Sequence, residues 1–201
     1  MATIYASFTT LEKQSEVINQ RVIPRMREID LCGKVSKHML DSDCFDGVKS
    51  FSTASLNLGG VEFYSGVHSR QLTDPILDTG ITMIRAMLQF FHVGVHISGN
   101  FQRYKGHHDG NIVIDSFQIQ KPDRNPDSSN YLWQCLDSSE IEALRIVAIN
   151  GNKGVAHLTE HRTVSISLAQ LSEASFAINK LLNHWLVKPK LGFEAQFNPV
   201  N

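Results

Sequence analysis

The segment Gly151-Asn152-Lys153-Gly154-Val155-Ala156-His157-Leu158 joins two strongly periodic stretches and holds the only polar arrangement in the chain that resembles a reaction centre. On both sides of it, apolar residues recur every three or four positions. That spacing places them on one face of an α-helix. We therefore predict two core-packed helices with this segment as their connection. The stripes are Ile141, Leu144 and Ala148 before the segment, and Leu168, Leu171, Ser175, Ile178, Leu182 and Trp185 after it.

The ends of these two helices carry their own signals. Ser139 and Glu142 have the spacing of a capping box, in which side chains satisfy the free amides of the first helical turn, and Ser167 and Gln170 repeat it. Because proline lacks an amide proton, Pro189 is predicted to stop the second helix. A tail is predicted to follow over residues 192–201.

The N-terminal part of the chain also has helical periodicity. Thr9 and Glu12 have capping-box spacing at the start of a helix predicted over residues 9–29. Pro24 lies inside that helix and should kink or split it, since its ring clashes with the preceding turn. A weaker helix is predicted to follow over residues 31–40.

The middle of the chain is predicted to contain a connector and a long central helix. Residues 41–60 have only scattered apolar side chains and are predicted to be the connector, while residues 61–64 fit either a short strand or a helical turn. The long apolar helix should begin at Asp74-Pro75, because aspartate is a good N-cap and proline is tolerated at the first helical position. Its predicted end lies near Gly94 or Gly99.

Residues 98–130 differ in kind from the rest of the chain, since they are rich in polar residues and proline. Within them, residues 112–117 alternate in the manner of a strand. A hairpin or an irregular loop inserted into the helical domain fits this composition. The predicted fold is therefore mainly α: one domain over residues 1–201, a helical bundle of four or five main helices with an irregular loop or small hairpin insertion.

Composition restricts the function only broadly. The 201 residues carry 19 basic and 20 acidic side chains, a balance without the basic excess typical of nucleic-acid-binding domains. Three cysteines without CxxC spacing indicate neither a disulfide framework nor a structural zinc site. No secretory signal and no membrane-spanning apolar run is evident, so a cytoplasmic location is the default expectation. No Gly-rich phosphate loop or nucleophile elbow occurs, and we expect no cofactor.

Two pairs of histidines have the i, i+4 spacing of helical metal ligands: His92 with His96, and His157 with His161. Neither pair has the carboxylate of an HExxH motif. A site combining the first pair with His107, His108 and Asp109 is conceivable, but nine histidines in the chain make chance pairs expected. We predict no metal site.

The segment from Asn152 to His157, with its flanking helices, resembles the HEPN superfamily, and within it the abortive-infection (AbiU2-like) subgroup. These are small helical bundles, often dimeric, found in phage-defence and toxin–antitoxin systems. Many are metal-independent ribonucleases marked by an arginine, a polar residue and a histidine. Asn152 and His157 match the last two residues, and the upstream apolar helix that contains Arg85 also fits. The motif's arginine would fall at Gly151, which has no side chain to offer.

The resemblance implies a particular chemistry for this segment. His157 would act as the base for an RNA 2′-hydroxyl, because imidazole titrates near neutral pH. An arginine would stabilise the phosphate through its planar fork of donors, and its loss typically costs on the order of hundreds-fold in rate. Lys153, or Arg145 and Arg162 folded nearby, are the candidate substitutes.

Three functional readings follow. The leading one is a non-catalytic or weakly catalytic HEPN-like module that forms a homodimer and binds RNA or a protein partner. Arg103 and Lys105 flank an aromatic residue and are further candidates for RNA contacts. The second reading is a ribonuclease that uses His157, Asn152 and Lys153 with a substituted cation. The third is a structural or assembly protein, in which Asn152 and Gly151 only form a helix-end turn and His157 packs against a carbonyl.

Overall fold

The computed structural model describes residues 6–41, 53–58, 60–96, 98–106, 108–120, 122–123, 125, 128, 131–151 and 166–197. Helices dominate this part of the chain, and two short antiparallel hairpins accompany them. The helices are α1 (Leu11–Val17), α2 (Ile23–Asp41), α3 (Ser69–Phe90), α4 (Ser138–Asn150), α5 (Leu168–Leu182) and α6 (Lys188–Leu191), and the strands are β1 (Thr53–Leu58), β2 (Val61–His68), β3 (Val93–Val95) and β4 (Phe101–Arg103).

Four helices form the bundle: α2 packs on α3 and α5, and α4 packs on α5 and α3. The predicted mainly α fold with a hairpin insertion is therefore confirmed. The apolar stripes predicted for α4 and α5 lie in one core, since Leu144, Leu171, Ile178 and Leu182 are all buried. None of the described helices is both long and apolar enough to cross a membrane.

Small residues allow α2 to approach two of its neighbours closely. A Cβ atom added at Gly33 would lie 2.8 Å from Cβ of Ser175 on α5. One added at Gly80 on α3 would overlap both Cβ and Sγ of Cys32. Since van der Waals contact between carbons is about 3.5–4.0 Å, only glycine fits at either crossing. Both glycines therefore fix how closely the bundle is packed.

Three prolines lie inside helical segments, and two of them, Pro24 and Pro189, each follow a five-residue π-helical turn. The turns are Ile18–Val22, which links α1 to α2 ahead of Pro24, and Asn183–Val187, which links α5 to α6 ahead of Pro189. A π turn shifts hydrogen bonding from i−4 to i−5, as in the bond from Ile23 N–H to the Ile18 carbonyl. Pro24 was predicted to kink or split the helix, and the split does not occur, because the π turn joins α1 to α2 without a gap. The predicted stop at Pro189 is wrong, because the π turn accommodates the ring and the helix continues to Leu191.

The connector and the start of the long helix also differ from prediction. Residues 53–58, expected in a connector, form β1 and pair with β2, which settles residues 61–64 as strand. Helix α3 begins at Ser69 rather than at Asp74-Pro75, so Pro75 lies in its second turn. A proline near a helix start removes only one internal hydrogen bond, and the hairpin leads directly into the helix. The helix ends at Phe90, four residues before Gly94.

The insertion contains a hairpin and a compact turn. Strand β3 pairs antiparallel with β4. The strand predicted over residues 112–117 is wrong, since Ile114–Phe117 form a 3-10 helix. Residues 113, 114, 116 and 117 are buried together, which is a helical spacing. In a segment this short, the sequence pattern alone does not distinguish a helical turn from a strand. Phe117 packs against Phe8 and Phe90, with ring centroids 5.3 and 6.0 Å apart.

Three helix starts test the predicted caps. Ser167 and Gln170 form the capping box predicted for α5. Helix α1 is capped by Thr10, one residue after the predicted Thr9. Helix α4 is capped by Asp137 with Glu140, two residues before the predicted pair, since Asp137 takes the extended backbone required of an N-cap.

The predicted tail begins as an ordered segment. Asn183 exchanges two hydrogen bonds with the backbone of Ala195, at 2.8 and 3.1 Å, and Lys34 Nζ donates to the Phe197 carbonyl at 3.3 Å. Gly192 makes the preceding turn with φ of 77°, which suits glycine. Residues 192–197 therefore pack against the bundle, while residues 198–201 lie outside the described part.

Candidate functional site

Gly151 is the C-cap of α4 and the last described residue before the motif segment. Its backbone is right-handed, with φ of −59° and ψ of −28°, and it is buried. A left-handed glycine turn is therefore not the reason for glycine at this position. A Cβ atom here would lie 3.3 Å from Ile81 Cγ2 and 3.6 Å from Arg85 Cδ, both on α3. Glycine allows the end of α4 to approach α3, and a long side chain would meet that helix.

An arginine of α3 lies where the end of α4 comes close to that helix. Arg85 lies on the face of α3 that meets α4, and its Nη1 donates to the carbonyl of Gly151 at 3.4 Å. The contact joins residues 66 positions apart in sequence. A cation from α3 thus contacts the backbone at the point where the motif segment begins. The sequence did contain the signal, since Arg85 is the one charged residue within the apolar run of residues 79–91.

Arg85 is only partly satisfied by the rest of the described chain. Its Nε is buried and has no hydrogen-bond partner there, and no described carboxylate forms an ion pair with it. A guanidinium has five donors, and a buried donor without an acceptor costs about 1–3 kcal/mol. The position therefore favours an acceptor that comes from outside the described residues.

A cleft of about 120 Å³ opens beside Arg85. It lies between α3, Ala148 of α4 and the β3–β4 hairpin. Gln89, Gln102 and Tyr104 contribute polar atoms to it, and Leu88, Val93 and Val95 contribute apolar surface. The Tyr104 ring packs against Gly94, where a Cβ atom would lie 3.3 Å from Tyr104 Cδ2. Among the described residues, Arg85 is the only charged side chain that lines the cleft.

Arg145, a predicted RNA contact and substitute cation, is occupied by protein partners. Its Nε donates to Glu142 Oε2 at 2.6 Å, its Nη2 pairs with Oε1 of the same carboxylate, and its Nη1 donates to the Gly99 carbonyl at 3.2 Å. The hydrogen bond from Arg145 lowers the pKa of Glu142, and the same bond raises the pKa of the arginine. Arg145 thus holds the turn of the β3–β4 hairpin on α4.

Arg103 and Lys105 are both exposed and flank Tyr104 of the cleft. Successive strand residues point to opposite faces, so Arg103 lies on the face opposite Gln102. On that opposite face Phe101 stacks on Trp133, with ring centroids 4.9 Å apart. Neither cation forms an ion pair with a described residue. Both stay candidates for RNA contacts, although neither lines the cleft.

The other predicted site residues, Asn152, Lys153, His157 and Arg162, lie outside the described residues. Their proposed roles stay predictions. What the structure does fix is where their segment begins, directly after the Gly151 carbonyl that Arg85 contacts, and where it ends, before Ile166 at the start of α5.

The histidine pair at the end of α3 does not assemble a metal site. No group of three or more His, Cys, Asp or Glu side chains among the described residues could hold a metal ion. His92 is buried, and its Nε2 lies 3.2 Å from Asp115 Oδ2. Its backbone φ is 60°, a left-handed conformation that non-glycine residues adopt at a cost. His96 is exposed and contacts Ser98 through Nδ1 at 2.8 Å, and His107 lies outside the described part.

Two cysteines are described, and burial raises the pKa of both thiols. The pKa of Cys32, between α2 and α3, reaches about 11. Cys135 is half-buried, and its pKa is raised in the same direction. Thiolates, rather than thiols, are the nucleophiles and metal ligands. Neither residue is therefore suited to nucleophilic catalysis.

Comparison with known proteins adds no relative from which a role could be transferred. No family model, no curated protein and no solved structure matches this chain. Its function must therefore be inferred from its own residues.

Proposed function

We propose that this protein is an HEPN-like RNA-binding module, non-catalytic or weakly catalytic, that acts as a homodimer in a phage-defence or toxin–antitoxin setting. The observation that carries the proposal is the Arg85 guanidinium at the Gly151 carbonyl, where the Asn152–His157 segment begins. The four-helix bundle is compatible with the resemblance. RNA is favoured over a protein partner because the Arg85 cation lines the cleft without a described carboxylate partner, which suits an anion.

The charges around Arg85 support contact with a phosphate. Arginine binds phosphate through a planar fork of N–H groups, and such charge-assisted hydrogen bonds are about twice as strong as neutral ones. Arg103 is the last residue of β4, Lys105 follows two residues later, and both are exposed. A single strand of RNA in the cleft would meet Arg85 and the Tyr104 ring, and cations with aromatic rings are typical of single-strand binding. Arg103 and Lys105 would be met by RNA that continues around the hairpin edge.

A ribonuclease that uses His157 is the second candidate. In this candidate Arg85, rather than one of the cations named from the sequence, substitutes for the missing motif arginine. Arg145 is engaged by Glu142 and Gly99, whereas Arg85 has a buried donor without a described partner. In this reading His157 is the base and Arg85 stabilises the charge that develops on phosphate. Such a contribution is typically worth hundreds-fold in rate.

RNA binding can be tested by fluorescence anisotropy with labelled single-stranded RNA pools, as a function of salt. We expect Arg85→Met to weaken binding about 10- to 100-fold, since a hydrogen bond to a charged group is worth about 1.5–3 kcal/mol. The magnitude of the slope of log affinity against log salt concentration should fall by about 1, the change expected when one phosphate contact is lost. Arg27→Met, an exposed arginine on α2, is the matched control and should bind as the parent does.

The outcomes separate the candidates. No binding to any RNA pool would refute the proposal and direct attention to a protein partner. Cleavage that His157→Ala abolishes would replace the non-catalytic reading with the ribonuclease. Light scattering tests the homodimer: a strict monomer over the working concentrations would contradict both the dimer and the assembly-protein alternative.

A further inference from the structure

We infer that the cleft between α3, Ala148 and the β3–β4 hairpin receives one base of the bound RNA, and that Gln89 and Gln102 select adenine. This inference rests on the proposed function, which supplies the RNA. It adds the identity of the base, which a phosphate contact does not determine. Phosphate contacts position a nucleic acid, whereas contacts to the edges of the bases specify its sequence.

Two glutamine side chains line the cleft, one from each of the elements that form its sides. Gln89 lies one turn after Arg85 on α3, and Gln102 is the middle residue of β4, where it pairs with Gly94. Gln102 is exposed and Gln89 is partly exposed, so a ligand in the cleft can reach both side chains. Neither amide has a side-chain hydrogen bond to another described residue. Both amides are therefore available to a bound molecule.

The hydrogen-bonding groups of these amides determine which base they match. A glutamine side chain offers a donor beside an acceptor. Adenine has a donor beside an acceptor on two edges, because its exocyclic amine lies between N1 and N7 and carries two hydrogen atoms. Cytosine and uracil have such a pair on their Watson–Crick edge alone, and the N7 edge of guanine has two acceptors. Two glutamines that line one cleft are therefore matched best to adenine.

The aromatic ring of Tyr104 supplies a surface on which the base can stack. Tyr104 is partly exposed and lines the cleft. Its hydroxyl donates to the Gly106 carbonyl at 3.4 Å and its backbone N–H donates to the His92 carbonyl at 2.8 Å, so the residue is held at both ends. Gly94 leaves room for the ring, since a Cβ atom there would lie 3.3 Å from Tyr104 Cδ2. Stacking on an aromatic ring accepts every base, so the ring adds affinity while the amides provide the selection.

The size of the cleft restricts it to part of a nucleotide. Its volume of about 120 Å³ is well below the roughly 300–1,000 Å³ of pockets that enclose a drug-sized molecule. One ring system enters such a space, and the sugar and phosphate stay at its mouth. The hairpin side of the cleft is fixed in place, because Arg145 of α4 donates to the Gly99 carbonyl in the hairpin turn. The two glutamines are therefore presented at a constant separation, as selection of a single base requires.

Fluorescence anisotropy with labelled oligouridylates tests the selection, each oligonucleotide carrying a single central adenosine, cytidine, guanosine or uridine. The parent protein should bind the adenosine oligonucleotide at least about fivefold more tightly than the other three, the low end of what a bidentate pair discriminates. Gln89→Leu and Gln102→Leu should each reduce this preference and leave binding to the all-uridine oligonucleotide within about twofold. Gln20→Leu, at an exposed glutamine of the π turn before α2, is the matched control and should keep the preference. Thermal unfolding of each variant shows that its fold is retained.

The outcomes separate this inference from the proposed function. Equal affinity for the four oligonucleotides, or an adenosine preference that survives both glutamine substitutions, would overturn the inference and leave RNA binding in place. A second arm measures free adenosine against free uridine by saturation-transfer NMR with the same proteins. Adenosine binding that depends on Gln89 and Gln102, in a protein that binds no RNA, would support the adenine site while refuting the proposed function. Binding of neither RNA nor adenosine would refute both.

Discussion

Replacing Gly80 by alanine should destabilise the protein, although alanine is the better helix former. Gly80 is buried in the middle of α3, where that helix crosses α2. An added methyl group would overlap both Cβ and Sγ of Cys32. The overlap with Cβ matters most, because no side-chain rotation can move that atom away. The two helices would have to move apart.

The magnitude follows from two opposing effects. Alanine stabilises a helix interior over glycine by about 1 kcal/mol. Overpacking a core costs typically 1–3 kcal/mol, and a contact that moves backbone belongs at the upper end. The net loss in free energy of unfolding is therefore about 2 kcal/mol. For a domain of this size that corresponds to a fall in Tm of about 4–8 °C.

Urea unfolding followed by circular dichroism at a helical wavelength measures the effect. The midpoint should fall in Gly80→Ala, while the m-value stays constant. Thr79→Ala is the matched control, since Thr79 is exposed on the same helix and alanine has the higher helix propensity. Its midpoint should be unchanged or slightly higher.

Substitutions of Cys32 test whether its overlap with the added methyl group causes the destabilisation. In a Cys32→Gly background the overlap is gone, so Gly80→Ala should become stabilising by about 1 kcal/mol. In a Cys32→Ala background the Cβ overlap persists, and Gly80→Ala should still destabilise. A Gly80→Ala protein that is more stable than the parent would refute the close approach of α2 and α3.

Three further predictions follow from the caps and the thiols. Because the pKa of Cys32 is about 11, iodoacetamide at neutral pH should leave it unmodified in the folded protein and modify it in urea, as peptide mass mapping can establish; rapid native labelling would contradict its burial. The pKa of Asp137 lies below its usual 3.8, chiefly because the backbone amide of Glu140 donates to its carboxylate. The ionised carboxylate therefore stabilises the folded protein at pH above 3.8, and this contribution is lost as the pH falls through the lower pKa of the folded state. Asp137→Asn keeps a capping side chain without the titration, so its urea midpoint should fall less steeply with acid than that of the parent, and parallel curves would count against this role. Ser167→Ala removes the acceptor of the Gln170 N–H at the start of α5 and should cost about 0.5–2 kcal/mol in urea unfolding, whereas an unchanged midpoint would show that this cap does not stabilise the helix.

The helices could be predicted because their signals are local. The stripe of Leu171, Ile178 and Leu182 lies within one helix, and its burial follows from a 3.6-residue period. The cap at Ser167 depends on a residue only three positions away. The prediction at Pro75 was wrong because proline was treated as a helix start, and the prediction at Pro189 was wrong because proline was treated as a helix stop. Proline costs less in a helix when it follows a π turn or lies near the helix start, and packing then decides whether the helix continues.

The candidate site was less predictable because its parts are distant in sequence. The motif segment directed attention to a missing cation at Gly151, and Lys153, Arg145 and Arg162 were considered as substitutes. Arg145 is bound to Glu142 and the hairpin turn, and the other two lie outside the described residues. Arg85 was noted only as part of an apolar helix. Its approach to Gly151 depends on how α3 and α4 pack.

The sequence by itself determined a mainly α protein, the helices α4 and α5 on either side of residues 151–167, and a polar, loop-rich insertion, because periodicity and capping act over three or four residues. Tertiary structure alone decided that Gly33 and Gly80 set the spacing of the bundle and that Arg85 meets the Gly151 carbonyl beside a cleft. Those features arise where helices from distant parts of the chain cross, and the space available there depends on side chains from both.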